Sequence, residues 1–288
     1  MTYRPAHEID LRFVLLGAKT VRQRDGVNWW TTNTPIGEVV VAFRTGRGLV
    51  RADGWGPGTD WAFTQLPALL GANDDPSDFD IRHPKLAPLA ANFSAVRIGA
   101  TARWYEAVAI SAIGQRVVTA DAKASKEKLC RRYGKGLPTG PARTFPDPAT
   151  LLTLTDADFH RVGIERSRAR VLRVAAKYAD RLERLDGVPG PDANEWLQRL
   201  PGIGPWTAAL ATAAAGGDPD AVPVGDLHIP RMITFALTGE ANGTDETMLD
   251  ALAPFAGHRQ RVVRLVKLGG DGQPNHRPAP FRYDISQI

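Results

Sequence analysis

The stretch that most restricts how this chain can fold is Leu-Pro-Gly-Ile-Gly-Pro-Trp-Thr-Ala at residues 200–208. Residues 193–200 place apolar side chains three and four apart, and residues 206–215 contain no helix breaker. Gly202 and Gly204 can both take positive φ, which favours a tight hairpin between two helices. Such a hairpin points backbone N–H groups outward, where they can bind a phosphate oxygen. An ordinary turn closed by a glycine cap is the simpler alternative.

A loop rich in glycine and proline follows the second predicted helix, over residues 216–230. It contains Asp226, which lies 22 residues after Gly204. Aspartate is a favoured helix N-cap, so a purely structural role is one interpretation of this residue. Pro230 has no N–H to bond the Asp226 carbonyl, and we therefore expect the regular helix to begin only near Pro230.

The charge of the chain is unevenly distributed. Residues 1–90 carry ten basic and ten acidic side chains, so the whole net charge of +5 lies in residues 91–288. A basic region favours a polyanionic partner such as nucleic acid, although this signal is weak by itself. The hydrophobic fraction of 43% against 23% charged residues is typical of a globular chain with a sizeable core.

Cysteine usage and hydropathy restrict the class of protein. The only cysteine is Cys130, which excludes an internal disulfide framework and a four-cysteine iron–sulfur cluster, and favours a reducing compartment. No apolar run approaches the length of a membrane span, and residues 11–16 are too short for a secretory signal. We therefore expect a cytoplasmic protein, without a membrane partner and without a cofactor.

The order of local patterns predicts an α+β chain with two domains. Residues 37–44 contain three consecutive β-branched valines and are bounded by turn signals, which predicts a strand. Gly-Arg-Gly at 46–48 suggests a hairpin to the next strand. We predict an N-terminal antiparallel sheet domain over residues 1–88. Helical patterns dominate afterwards, including one long arginine-rich helix over residues 165–185, and predict an all-α domain over residues 89–288 with a proline-rich tail.

Several motifs together resemble those of bacterial inducible 3-methyladenine DNA glycosylases, members of the helix-hairpin-helix glycosylase superfamily. They are the hairpin with its downstream aspartate, Ala-Ile-Gly-Gln at 112–115, Phe-Pro-Asp-Pro at 145–148 and Gly-Ile at 163–164. The resemblance covers residues 95–270 well and residues 10–85 loosely. It implies an antiparallel sheet domain ahead of a bilobal helical domain, and a monomer that acts on double-stranded DNA containing damaged bases.

The resemblance also implies how the DNA is held. The family binds the DNA backbone at the hairpin, here Gly202, Ile203, Gly204, Trp206 and Thr207. A damaged base must leave the duplex before an enzyme can reach it, and a wedge residue fills the gap that the base leaves. The loop that supplies the wedge holds Gln115 and Arg116 in this chain, and either residue is a candidate.

Asp226 is the catalytic residue that the resemblance implies. Cleavage of the N-glycosidic bond builds positive charge on the sugar, which a facing carboxylate stabilises while it positions the attacking water. Bifunctional relatives have a lysine nucleophile two residues after the last hairpin glycine, where this chain has Trp206. Without an amine at this position no Schiff base can form there, so we expect a monofunctional glycosylase that leaves an abasic site.

The expected base pocket contains Trp206, Leu210 and Leu227. Trp206 matches a tryptophan that lines the pocket of alkylbase glycosylases, and plain helix packing is the alternative. Leu210 and Leu227 stand where tyrosines are expected in those enzymes. A cationic methylated base is bound more tightly by aromatic ring faces than by leucine side chains. The identity of the lesion therefore stays open. The arginines of residues 255–264 could contact phosphates, or the pocket could take a neutral lesion.

The histidines predict no metal site, because His160, His228 and His258 are scattered without ligand spacing. The family resemblance implies at most a monovalent cation held by hairpin carbonyls near Gly202 and Gly204. A non-catalytic helix-hairpin-helix protein that binds DNA or senses damage is the alternative function.

Overall fold

An antiparallel sheet forms the N-terminal part of the computed structural model, which describes residues 1–15, 20–79, 81–140 and 142–270. The strand order is β1-β5-β4-β3-β2, and every neighbouring pair is antiparallel. The predicted strand and the hairpin after it are confirmed, because β4 continues to Gly46 and β5 begins at Leu49. The strands are β1 Thr2–Tyr3, β2 Val21–Arg24, β3 Val27–Thr34, β4 Gly37–Gly46 and β5 Leu49–Trp55.

Both faces of the sheet are covered. Alternate residues of β4, among them Val41 and Phe43, pack against helix α2 (Thr59–Leu69) and the short helix α1 (Leu11–Val14), as a period of two dictates. Val40 on the opposite face is equally buried. A Cβ on Gly140, in the loop of the helical region that covers this face, would lie 2.7 Å from Cγ2 of Val40. Because both faces of β4 are covered, its central residues are all apolar and do not alternate with polar ones.

The described part of the helical region contains two large hydrophobic cores. The first lobe is built from α4 to α11, and the second lobe from α3 and α12 to α14. The predicted α+β class with a bilobal helical region is confirmed. The helices are α3 Leu86–Asn92, α4 Trp104–Ile113, α5 Thr119–Tyr133, α6 Pro148–Thr153, α7 Asp156–Arg161, α8 Arg166–Lys177, α9 Ala179–Glu183, α10 Gly190–Gln198, α11 Pro205–Ala211, α12 Ile229–Thr238, α13 Asp245–Leu252 and α14 Arg259–Gly269.

The domain boundary expected at residues 88 and 89 falls inside α3, whose Leu86 and Leu89 belong to the core of the second lobe. The division into residues 1–88 and 89–288 stays a prediction. The proline-rich tail over residues 274–288 lies outside the described residues. In the described part of the chain, no helix is both long and apolar enough to span a bilayer.

The predicted single helix over residues 165–185 is wrong. It is broken at Tyr178, where φ is −101° and ψ is 12°, so that α8 ends before this residue and α9 begins after it. The Tyr178 carbonyl accepts hydrogen bonds from both Arg181 and Leu182, 2.9 Å each, which tightens the turn at the junction. Neither proline nor glycine marks the break, so the local sequence carries no signal for it.

Helix α4 joins the sheet to the first lobe. Glu183 accepts hydrogen bonds from the first two N–H groups of α4, those of Trp104 and Tyr105, at 3.2 and 3.1 Å. The buried Glu106 accepts from the Thr32 hydroxyl at 2.7 Å and from a β3 backbone N–H at 3.0 Å, while burial raises the pKa of its carboxyl. These contacts fix the first turn of α4 between Glu183 at the end of α9 and strand β3.

A buried ion pair ties α14 to the segment between the sheet and α4. Arg261 donates to Asp74 at 3.0 Å, and the two side chains are 3% and 0% exposed. Asp74 also accepts from the N–H of Ile98 at 2.8 Å. One turn later Arg264 donates to the carbonyl of Arg97 at 3.0 Å, and its burial lowers the pKa of the guanidinium to about 10. The position of α14 is therefore set by buried polar contacts as well as by apolar packing.

Candidate active site

The predicted helical hairpin is present between α10 and α11. Gly202, in the turn between the two helices, has the expected positive φ, +82°. The expectation of positive φ is wrong for Gly204, which has φ −93° and ψ −177° because it is the extended N-cap of α11. Ile203 between them is 3% exposed and anchors the turn in the first core. A Cβ on Gly204 would have no protein atom within 4 Å, so this backbone faces open space.

The candidate wedge loop, which follows α4, contacts the hairpin directly. The side-chain amide of Gln115 donates to the Gly202 carbonyl and to the Thr207 hydroxyl, at 2.9 Å each. Arg116 has a φ of +56° and an exposed side chain. The two candidates therefore differ in geometry, since Gln115 is turned back onto the hairpin and Arg116 is free of the hairpin contacts that hold Gln115.

Trp206 connects the wedge loop with the candidate catalytic residue. Its indole Nε1 donates to Oδ2 of Asp226 at 2.8 Å. The far edge of the ring lies against the wedge loop, because a Cβ on Gly114 would be 3.2 Å from Cη2 of Trp206. Trp206 is only partly buried, so plain core packing is an incomplete description of it. The first turn of α11 thus holds one oxygen of the carboxylate in place.

The other carboxylate oxygen of Asp226 accepts two backbone hydrogen bonds at the start of α12. They come from the N–H groups of His228 at 2.8 Å and Ile229 at 3.0 Å. Helix α12 begins at Ile229 with Pro230 in its first turn, which confirms the expected start. The capping role and the Trp206 contact therefore coexist on one side chain, each using a different oxygen.

The Asp226 carboxylate is held in its ionised form. Burial alone would raise its pKa, but the hydrogen bonds from His228, Ile229 and Trp206 outweigh this effect. The positive charge of Lys267 acts in the same direction, so the pKa of Asp226 lies below its usual value. An ionised carboxylate at neutral pH is what stabilisation of a cationic transition state requires.

Lys267 is a charged residue that sequence reasoning missed and whose charge acts on the pKa of Asp226. It lies near the end of α14, and no motif or spacing connects it to the hairpin. The surrounding protein lowers the pKa of its ammonium by partial desolvation, although the side chain keeps contact with solvent. The charge of Asp226 opposes that decrease in the pKa of Lys267.

The two other expected pocket positions carry aliphatic side chains. Leu210 follows Trp206 by four residues, so both lie on one side of the hairpin helix, and Leu210 is half-buried. Leu227 is 62% exposed beside Asp226. Exposed leucine next to an ionised carboxylate leaves an apolar surface available to a ligand.

No group of three or more His, Cys, Asp or Glu side chains that could hold a metal ion occurs among residues 1–15, 20–79, 81–140 and 142–270. His258 instead pairs with Asp78 at 2.8 Å. The Gly202 carbonyl, expected as a cation ligand, already accepts the hydrogen bond from Gln115. Since a carbonyl oxygen has two lone pairs, a monovalent ion at the hairpin stays a prediction.

Residues 110–255 match the family model described as HhH-GPD superfamily base excision DNA repair protein. This segment includes the wedge loop, the hairpin and Asp226. A curated relative from Mycobacterium tuberculosis, a probable bifunctional transcriptional activator/DNA repair enzyme AlkA, is 30% identical over 151 residues. The alignment covers 51% of this chain and only 30% of that relative.

Solved structures share the fold over nearly the whole chain. A 3-methyladenine DNA glycosylase from Archaeoglobus fulgidus superposes with a TM-score of 0.78 at 20% identity, over 94% of this chain and 98% of that chain. An 8-oxoguanine glycosylase/lyase from Clostridium acetobutylicum, in complex with double-stranded DNA, superposes with a TM-score of 0.72 at 16% identity, over 91% and 93% of the two chains. At these identities the likeness concerns the fold alone.

Proposed function

This chain belongs to the HhH-GPD superfamily of base excision DNA repair proteins, and from that premise we propose that it is a monofunctional DNA glycosylase. It flips an alkylated base out of double-stranded DNA and hydrolyses the N-glycosidic bond, leaving an abasic site. The observation that carries the proposal is the hydrogen bond between Trp206 and Asp226. It places an ionised carboxylate beside the hairpin, with an indole where a strand-nicking enzyme of this superfamily has its lysine.

Asp226 supplies the chemistry in this proposal. Its negative charge stabilises the positive charge that develops on the sugar as the base leaves, and it orients the water that attacks the same carbon. Three hydrogen bonds fix the carboxylate before the substrate arrives, so little reorganisation is needed during the reaction. Leu227, the next residue in the chain and largely exposed, offers an apolar side chain to the flipped nucleotide.

The proposed activity is tested by base release from a duplex that contains one alkylated base. We expect free base and an abasic strand that breaks only after alkaline treatment. Borohydride added during the reaction should trap no covalent protein–DNA adduct, because an imine requires an amine nucleophile. A trapped adduct would overturn the monofunctional assignment. Tight duplex binding without release of any of a panel of damaged bases would instead favour the DNA-binding, non-catalytic alternative.

Arg116 is the wedge residue that the geometry supports, with Gln115 as the brace that ties the wedge loop to the hairpin. Arg116→Ala should slow single-turnover base release about tenfold, equivalent to ~1.4 kcal/mol, because the flipped state loses a side chain that fills the vacated space. Arg131→Ala, which removes an exposed arginine from α5, is the matched control and should change the rate little. Equal effects of the two variants would contradict the assignment of the wedge.

The hairpin is the proposed contact with the DNA backbone, and its two glycines give a matched pair of variants. Gly202→Ala combines a positive φ with a Cβ placed 2.6 Å from Cγ2 of Val171, so it should destabilise the fold by roughly 1–3 kcal/mol. Gly204→Ala meets no protein atom and should leave the melting temperature unchanged. We expect Gly204→Ala to weaken duplex binding nevertheless, because the added methyl group faces the phosphate. Unchanged binding by this variant would place the DNA elsewhere.

A further inference from the structure

We propose that Arg168 is a positioning residue for the wedge loop, residues 114–118, which join α4 to α5. Its guanidinium ties the chain on both sides of this loop to the start of α8, and so fixes where Arg116 stands when a base leaves the duplex. The inference rests on the proposed glycosylase function and on Arg116 as its wedge residue. It assigns a role in base flipping to a buried side chain.

Burial sets Arg168 apart from its neighbours on α8. Arg168 is 4% exposed, whereas Arg166 and Arg170 are exposed. A guanidinium is costly to bury because it loses its hydration, and this burial lowers the pKa of Arg168. The exposed carboxylate of Glu165 lies 3.8 Å from Nε of Arg168, where solvent screening lets it offset the cost only in part. A place on a solvated helix face therefore does not explain this arginine.

One arm of the guanidinium binds the end of α4. Nη1 of Arg168 donates to the carbonyl of Ile113, the last residue of α4, at 3.0 Å, and this bond is buried. The last carbonyls of a helix have no partner within it, so a donor from another helix satisfies this oxygen. It also fixes the direction in which the chain leaves α4. Arg116 follows only three residues later.

The other arm of the guanidinium reaches the α5 side of the loop through Gly163. Nη2 of Arg168 donates to the Gly163 carbonyl at 3.2 Å, and the same oxygen accepts from the Ser125 hydroxyl of α5 at 3.1 Å. A Cβ on Gly163 would lie 2.8 Å from Oγ of Ser125, so the absence of a side chain permits this close approach. The two helices on either side of the wedge loop are thus connected through one guanidinium.

The backbone of the wedge loop needs such support. Arg116 has a φ of +56°, a region that a residue with a Cβ adopts at a cost and keeps only where its surroundings hold it. Gln115 ties the loop to the hairpin by its bonds to Gly202 and Thr207. Arg168 holds the end of the helix that precedes the loop. The exposed side chain of Arg116 therefore stands on a loop that is held from two elements.

General stabilisation of the first lobe is the other role open to a buried arginine. A loss of stability would lower the amount of folded protein, but its effect on base release would not depend on the side chain at position 116. A positioning role predicts instead that the effects of changing Arg168 and Arg116 are not additive, because both act on the same step. The comparison of single and double variants is therefore the informative measurement.

The test measures single-turnover release of an alkylated base by Arg168→Met, in the wild-type and in the Arg116→Ala backgrounds, at a temperature where the proteins are folded. In the wild-type background we expect release to slow by about tenfold, similar to the loss expected of Arg116→Ala, because the wedge is misplaced. In the Arg116→Ala background the further loss should be less than about twofold, because the side chain that Arg168 positions is already absent.

Arg168→Lys carries the same comparison if Arg168→Met does not fold. The lysine keeps the positive charge but lacks the planar fork that binds two carbonyls at once. We expect a smaller loss than from Arg168→Met, with the same dependence on the background. A loss that is equal in both backgrounds would count against the inference for this variant as well.

Arg264→Met is the matched control. Arg264 is also a buried arginine that donates to a backbone carbonyl, that of Arg97 at 3.0 Å, but it lies on α14 in the second lobe. Its removal tests what the loss of a buried guanidinium does by itself. Any effect of Arg264→Met on the rate of base release should be the same factor in both backgrounds, because α14 does not contribute to the wedge loop.

Three results would overturn the inference in distinguishable ways. If Arg168→Met slowed release by the same factor in both backgrounds, or did not slow it, Arg168 would not act through the wedge, while the glycosylase function would stand. If Arg116→Ala had no effect by itself, the assignment of the wedge would fail and Arg168 would have nothing to position. If the wild type bound the duplex but released no base, the proposed function would fail and the inference with it.

Discussion

Asp226→Asn is expected to reduce base release by at least about a hundredfold, since it removes the charge that faces the developing cation. The fold should survive, because the asparagine oxygen can still accept the N–H groups of His228 and Ile229 at the start of α12. Single-turnover release of an alkylated base, with duplex binding measured on the same preparations, checks this result. Binding should remain close to that of the wild type.

The asparagine also loses the contact with the indole, because its NH₂ group would face the N–H donor of Trp206. Trp206→Phe is the matched control, since it removes the same hydrogen bond but keeps both the aromatic ring and the carboxylate. We expect a clearly smaller loss of activity from Trp206→Phe than from Asp226→Asn. Equal losses would mean that the hydrogen bond, and not the charge, is what the reaction requires. Full activity of Asp226→Asn would remove Asp226 from the mechanism.

Arg261→Met is expected to destabilise the protein by roughly 3–5 kcal/mol, because it leaves the carboxylate of Asp74 buried without its counter-charge. Both side chains of this pair are almost completely inaccessible to solvent. The hydrogen bond from the N–H of Ile98 would remain, but a single backbone donor does not replace a guanidinium. Denaturant unfolding monitored by tryptophan fluorescence measures the change in the free energy of unfolding.

Arg199→Met is the control for the loss of an arginine as such. Arg199 and Glu195 form an exposed pair one helical turn apart, at 2.6 Å, and pairs of this kind contribute only about 0–0.5 kcal/mol. Similar small effects of both variants would show that the buried pair adds nothing to the stability of the fold. A large effect of Arg261→Met alone would show that the segment before α4 helps to hold α14.

Local sequence patterns were sufficient for the hairpin, the antiparallel sheet and the start of α12. Each depends on the conformational preference or the spacing of residues close together in the chain: positive φ at Gly202, β-branched residues after Gly37, and the missing N–H of Pro230. Local conformational preference gave wrong predictions where the same residues are compatible with two backbone conformations. Gly204 is extended although glycine could be left-handed, and the helix break at Tyr178 has no breaker residue.

The resemblance to glycosylases selected Asp226, Trp206 and the two wedge candidates from the sequence alone, but it could not place them relative to one another. The bond from Gln115 to Thr207 joins residues 92 positions apart, and the bond from Trp206 to Asp226 joins residues 20 apart. Such contacts depend on how whole helices pack, and packing is decided by the complete set of buried side chains and not by any short stretch. For the same reason only the tertiary structure shows that the charge of Lys267 affects the pKa of Asp226. The sequence by itself determined which local elements form and where the candidate catalytic carboxylate lies in the chain, while the packing of α4, α11, α12 and α14 decided which side chains surround it.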